Sequence, residues 1–117
     1  KIRLNKVSKT QIRSLEVTLK IETISPYQLE EEFQNTYQLI DVRTHEERKQ
    51  FNIGGIHIPV ESIEKEITKL NYSKPLLFYC SSGKRSAIAA RIIKSKYPSL
   101  KIYSLEGGLE KWNVHDE

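Results

Sequence analysis

The chain has 117 residues, of which 38% are apolar and 29% charged, a size and composition that suit one globular domain with a single modest core. No stretch approaches the roughly 20 apolar residues that span a bilayer, and no apolar run follows the basic start as it would in a secretory signal. The net charge of +4 raises nucleic acid as a partner, but residues 1–20 carry +5 and the other 97 carry −1, so the body is nearly neutral and neither nucleic acid nor membrane is expected. One cysteine, Cys80, excludes an internal disulfide and any zinc site built on several thiolates, and suits a reducing, cytoplasmic compartment. A chain that begins with Lys and holds no Met is expected to be a segment of a longer protein.

In chain order, residues 1–14 are polar and basic, the expected linker or tail of a preceding domain, and the basic leader is drawn over residues 1–19. Leu15, Val17, Leu19 and Ile21 alternate with polar residues, the period of a half-exposed strand. Ser25-Pro26 reads as N-cap and first helical residue of a helix to about Gln34. Tyr37 to Val42 is a short apolar run, expected as a buried strand. Thr44 and Glu47 form a capping box that opens a short helix to about Gln50. Gly54-Gly55 marks a turn, and Ile56 to Val60 is apolar. Ser62 to Leu70 places Ile63, Ile67 and Leu70 on one helical face.

Pro75 to Cys80 (PLLFYC) is the most apolar stretch and is expected as a central strand. A helix follows from Ser86 to Tyr97, a strand from Lys101 to Leu105, and a last helix after Gly107-Gly108 to about Trp112. Strands alternating with helices predict an α/β domain: a parallel sheet of about five strands with helices on both faces. In such sheets the reactive site lies at the carboxyl ends of strands. Two segments qualify, Asp41 to Arg43 and Cys80 to Ser86.

The second segment, Cys80-Ser81-Ser82-Gly83-Lys84-Arg85-Ser86, has the makings of an anion cradle. A loop curling into a helix N-terminus turns successive backbone N–H groups inward, and the helix dipole adds positive potential. A cysteine at its mouth is favoured as the thiolate, the nucleophilic form. Gly83 gives backbone freedom, Lys84 and Arg85 add charge, and Ser82 and Ser86 add hydroxyl donors, with Ser86 also a candidate cap for the helix. A lone cysteine ending an apolar strand is otherwise a packing residue, but packing does not call for a polar, cationic, Gly-containing turn.

Cys80, four residues, Arg85, then Ser86 resembles the active-site loop of the rhodanese family. Leu39-Ile40-Asp41-Val42-Arg43 with Glu47, the turn Gly54 to Pro59 (GGIHIP), and Leu105 to Leu109 with Trp112 resemble further motifs of that family in the same order. The resemblance covers roughly residues 20 to 113, and the domain is drawn over residues 20–117. It implies a sulfurtransferase that carries sulfur as a Cys80 persulfide, with Ser81 to Ser86 as the substrate and anion-binding loop and no metal or organic cofactor. The donor implied is thiosulfate or a cysteine desulfurase persulfide. The family's His near the Gly-Ala turn is replaced around Phe51-Asn52-Ile53, and its Ala by Gly55. The loop also lacks the Cys-Arg-Lys-Gly start of thiosulfate-preferring enzymes, which leaves the donor open. The basic leader, the Phe-Asn-Ile-Gly-Gly turn and the loop resemble rhodanese domains at the C-terminus of molybdopterin- and thiamin-synthesis adenylyltransferases. There the acceptor is the adenylated C-terminus of a ubiquitin-like sulfur carrier.

Asp41 and Arg43 are supporting candidates that line the pocket or brace it, Arg43 through an ion pair with Glu47. His45, His57 and His115 show no metal-site spacing, and His57 is expected as a satisfied packing residue. Trp112 is expected to close the core, and Glu30-Glu31-Glu32 to be a solvated face. Two rival functions remain. One is a non-catalytic binding module on the same fold. The other is a cysteine phosphatase, whose loop has five residues between Cys and Arg, where this one has four.

Overall fold

A computed structural model describes residues 21–32, 36–70 and 72–116. Its five strands are β1 (Glu22–Ile24), β2 (Gln38–Asp41), β3 (Ile56–His57), β4 (Leu76–Tyr79) and β5 (Ile102–Leu105). They form one sheet in the order β1-β5-β4-β2-β3, and every pairing is parallel. The helices are α1 (Pro26–Glu32), α2 (His45–Gln50), α3 (Lys84–Lys96) and α4 (Gly108–Asp116). The expected parallel sheet with helices on both faces is therefore present.

β4 explains the layering. All four of its residues are buried, as a strand covered on both faces requires. Side chains alternate across a strand. Leu76, Phe78 and the following Cys80 pack with Ala89, Ala90 and Ile93 of α3, and with Ile63 and Leu70. Leu77 and Tyr79 face the other way, against Leu29 of α1 and Leu109 and Trp112 of α4. Trp112 does close this second core, being 9% exposed. The small Ala89 and Ala90 let α3 approach the sheet closely above the cysteine.

Local signals account for the short helices. Ser25 and Gln28 cap α1 reciprocally: Gln28 N–H donates to Ser25 Oγ at 3.2 Å, and Ser25 N–H to Gln28 Oε1 at 2.9 Å. Thr44 and Glu47 make the expected capping box of α2. The alternation over 15–21 falls on residues outside the described ones except Ile21, and the first described strand begins at Glu22. The expected end of α1 at Gln34 likewise lies outside them.

Two expectations are corrected. Residues 62–70 do not form one helix: two 3₁₀ turns, Val60–Ser62 and Ile67–Lys69, are separated by the non-helical residues 63–66. Ile63 and Leu70 are buried as the pattern demands. A segment this short has little helical stability of its own, so sheet packing of those two side chains sets its backbone. The second correction is that α3 starts at Lys84 rather than Ser86. Gly83, at φ +100°, turns the chain into the helix two residues early, so Ser86 lies in the first turn and does not cap it.

β2 pairs with β4 in a register that sets Asp41 beside Tyr79, so the ends of these strands lie together. From β2 the chain runs out to β3 at one edge; from β4 it runs through α3 to β5 on the other side. Connections diverge at this boundary and leave a crevice at the carboxyl ends. Asp41–Arg43 and the Cys80 loop meet there.

Candidate active site

Cys80 follows β4 directly and is 0% exposed. Its Sγ accepts hydrogen bonds from the N–H of Gly83 at 3.0 Å and of Ser86 at 3.3 Å. Gly83 occupies the N-cap of α3 but has no side chain with which to cap it. The first N–H groups of a helix have no intrahelical partner. The cysteine sulfur takes that place, at the positive end of the helix dipole. In the thiol form, Cys80 donates to Ser86 Oγ across 3.6 Å.

What turns the loop inward is α4. Leu109 N–H donates to the carbonyl of Cys80 at 2.8 Å, and Glu110 N–H to that of Ser81 at 3.0 Å. With their carbonyls held on the outside by one helix start, the loop residues present N–H groups to the sulfur. This clamp needs Gly108. Its φ is +63°, and a Cβ there would lie 2.4 Å from the Ser81 carbonyl oxygen.

The remaining loop side chains divide by role. Arg85 makes a bidentate pair with Glu47 of α2, Nη1 to Oε1 at 2.8 Å and Nη2 to Oε2 at 2.9 Å. Ser81 Oγ donates to the same carboxylate at 2.8 Å. These contacts hold the Glu47 carboxyl well below the usual carboxylate range, the Arg85 bond first among them and burial opposing. Reciprocally, Glu47 raises Arg85. Ser82 Oγ accepts from Lys84 N–H at 3.4 Å, and both residues are exposed. Lys84 has no carboxylate partner among the described residues.

The segment at the end of β2 stands differently. The Asp41 carboxylate is fully buried and receives four donors: Arg43 N–H at 3.0 Å, Nε at 2.9 Å and Nη2 at 2.9 Å, and Arg48 Nη1 at 3.2 Å. Arg43, 5% exposed, reaches the carbonyls of Phe51 at 2.6 Å and Glu47 at 3.4 Å. Arg48 donates to the Gly55 carbonyl, and the buried Tyr79 hydroxyl to the Gly54 carbonyl. The ion pair expected between Arg43 and Glu47 is thus corrected. Arg43 takes Asp41, whose carboxylate is adjacent and buried, and the Glu47 side chain crosses to Arg85. Asp41 and Arg43 fix the turn at 51–55 and the base of α2, which aims Glu47 at the cysteine loop.

His57 Nε2 meets the Arg43 carbonyl at 2.7 Å, the satisfied packing role expected of it, although its ring also lies 6.3 Å from that of His45. Among the described residues no cluster of metal-ligating side chains occurs, and no helix is long and apolar enough to cross a membrane. Two open clefts flank the loop. One, of about 230 Å³, is lined by Arg43, Glu47, Gln50, Phe51, Ser81, Leu109 and Glu110. The other, of about 260 Å³, includes Ser82, Gly83, Lys84, Arg91, Ser104 and Gly107.

Sequence reading missed three contributors. Arg48 offered no signal, since a charged residue on a short helix is ordinary. The clamp by α4 was visible only as a Gly-Gly turn. Ser104 did carry a signal, a serine between Tyr103 and Leu105 in a largely buried strand; its Oγ lies 2.6 Å from Ser86 Oγ.

In this parallel α/β domain the central strand delivers a cysteine sulfur to the N-terminus of a helix, an arrangement that can stabilise negative charge on that sulfur. The rhodanese-like domain model matches residues 25–115, and the chain belongs to that family. It is 31% identical to a thiosulfate sulfurtransferase of Ectopseudomonas mendocina, over 81% of this chain and 87% of the relative. It is 34% identical to a protein of Pyropia yezoensis named as a molybdopterin-synthase adenylyltransferase, over 65% of this chain but 20% of that protein. Among solved structures, a rhodanese-related protein from Thermoplasma volcanium aligns with a TM-score of 0.72 at 26% identity, over 80% of this chain and 92% of the other. The chain spans less than half the length of other curated relatives it matches, 43% in one case and 15% in another. Sulfur transfer is the chemistry that the family and these relatives support.

Proposed function

We propose that the domain is a sulfurtransferase that carries sulfur on Cys80 as a persulfide. The observation that carries this reading is the pair of N–H groups on Sγ at the start of α3. The Cys80 thiolate attacks the outer sulfur of a sulfane donor, thiosulfate or a desulfurase persulfide. A bond forms between Sγ and that sulfur. The donor's own bond to it breaks, and with thiosulfate the electron pair leaves on sulfite. An acceptor nucleophile then takes the outer sulfur and returns the electron pair to Sγ, a two-step covalent cycle.

Donors fixed in place before reaction need no reorganisation as charge moves on the sulfur. Gly83 and Ser86 supply them. Lys84 is the loop cation that meets incoming anions, while Arg85 shares its charge with Glu47 and holds Ser81 in position. Asp41 and Arg43 support the loop from beneath. No metal or organic cofactor enters this cycle.

The test is intact-protein mass spectrometry after incubation with thiosulfate, or with a cysteine desulfurase and cysteine. The wild-type chain gains one sulfur atom and loses it to cyanide or dithiothreitol; Cys80→Ser gains none. No uptake from either donor would leave a non-catalytic binding module as the better reading.

The adenylyltransferase relative favours a particular acceptor, the adenylated C-terminus of a ubiquitin-like sulfur carrier. Persulfide-loaded protein incubated with such a carrier, its adenylating enzyme and ATP then yields a carrier thiocarboxylate. A carrier whose mass does not change would remove this acceptor and leave the persulfide step standing.

A further inference from the structure

Ser104 sits in β5 between apolar neighbours and is 2% exposed. A hydroxyl is costly to bury without a partner. Its partner is Ser86 Oγ, at 2.6 Å, and either oxygen can be the donor. Ser86, itself 0% exposed, has three neighbours: Cys80 Sγ at 3.6 Å, the Gly83 carbonyl at 3.1 Å and Ser104.

A hydroxyl has one proton to donate and two lone pairs to fill. The three neighbours of Ser86 differ in what they exchange with it. The Gly83 carbonyl only accepts. The sulfur donates as a thiol and accepts as a thiolate. Ser104 alone can do either in every state of the cysteine. With Cys80 as thiol, the S–H points to Ser86, whose proton goes to Gly83 or Ser104. With Cys80 as thiolate, Ser86 can turn its proton to the sulfur, and Ser104 then donates into the Ser86 lone pair. Hydroxyl rotation suffices, and no heavy atom moves. A donor that itself receives a hydrogen bond is polarised and donates more strongly.

We propose that Ser104 is a positioning residue, and that the Ser86–Ser104 pair is a reversible hydroxyl relay whose direction follows the charge on Cys80. It stabilises the thiolate when Cys80 loads and when an acceptor takes the outer sulfur and leaves the thiolate behind. The proposal builds on Cys80 as the nucleophile and adds a residue from a strand 24 positions away in sequence.

Threonine and valine have nearly the same shape and differ in the hydroxyl, so Ser104→Thr and Ser104→Val isolate the hydrogen bond from the packing. Ser104→Ala serves as the uncrowded control. The first readout is the pH dependence of Cys80 alkylation by iodoacetamide in the full chain. The second is the rate at which cyanide discharges the thiosulfate-loaded persulfide. Ser104→Thr should keep the wild-type midpoint. Ser104→Val and Ser104→Ala should move it upward by about half a unit to one unit, the scale of one lost hydrogen bond to a charged group acting through an intermediary. Discharge should slow about three- to tenfold in those two variants and not in Ser104→Thr. Equal midpoints in Thr and Val would overturn the relay, as would a wild-type profile in Ser104→Ala. Alkylation reads the thiolate directly, so the midpoints decide the relay even in a chain that takes up no sulfur from thiosulfate or from a desulfurase, a result that would refute the proposed function alone.

Discussion

The ends of β2 and β4 lie side by side, and each is followed by an arginine, yet the two regions use charge in opposite ways. After β2, the Asp41 carboxylate is buried and meets four donors, three of them from Arg43, so its charge is consumed within the protein. After β4, Arg85 is turned aside to Glu47, and the sulfur is left to two backbone N–H groups and the Ser86 hydroxyl. The comparison separates support from reactivity. Side chains that neutralise each other brace the fold, whereas backbone dipoles stabilise a charge without cancelling it, so the sulfur can still react.

The largest break is expected at the braced end. Asp41→Ala leaves Arg43 buried without its carboxylate and should cost about 3–5 kcal/mol, the loss typical of breaking a buried pair from one side. Chemical denaturation measures it. A loss under about 1 kcal/mol would show that Arg43 finds water or another partner.

Next is the clamp. Gly108→Ala must hold a non-Gly residue at φ +63° and push its Cβ away from the Ser81 carbonyl. Backbone strain and overpacking together suggest a loss of about 2–4 kcal/mol. Sulfur uptake should fall in the protein that remains folded, because the carbonyls of Cys80 and Ser81 lose their alignment. Unchanged uptake at reduced stability would confine the glycine to the fold.

A smaller effect sharpens the comparison. Glu47→Gln removes the charge and one of the two carboxylate oxygens that Arg85 meets and should cost about 1 kcal/mol, since the pair is one-third exposed. The folded protein holds Glu47 well below its unfolded value of about 4.3. Its stabilisation is therefore full above that value and is lost as pH falls toward the folded one. The stability gap between wild type and Glu47→Gln should be constant near neutrality and close below about pH 4. A gap as wide at pH 2.5 as at neutrality would assign the contribution to shape rather than charge.

The smallest effect falls on Lys84. Lys84→Ala should leave stability unchanged and slow loading from thiosulfate a few-fold at low ionic strength. At about 0.5 M salt the difference should fade, because exposed charges are screened within a few ångströms. A salt-independent difference would mean that Lys84 shapes the loop instead of attracting the anion.

The local chemistry of the chain was sufficient for several features. The apolar run of β4 and the alternation of strands with helices specified a parallel sheet buried on both faces, because a strand covered twice has no polar side to display. Thr44 with Glu47, and Ser25 before Pro26, specified helix starts, because caps act within four residues. Cys80 at a strand end before a Gly-containing cationic turn specified the nucleophile candidate. Tertiary structure decided the rest. Arg85 and Glu47 stand 38 residues apart, and nothing local told Arg43 to take Asp41 and leave Glu47 free to cross the crevice. The clamp by α4 and the bond from Ser104 to Ser86 also join distant segments. Local sequence acts through near-neighbour sterics and hydrogen bonds, while the choice among several possible polar partners is made only when packing brings them together and removes their water.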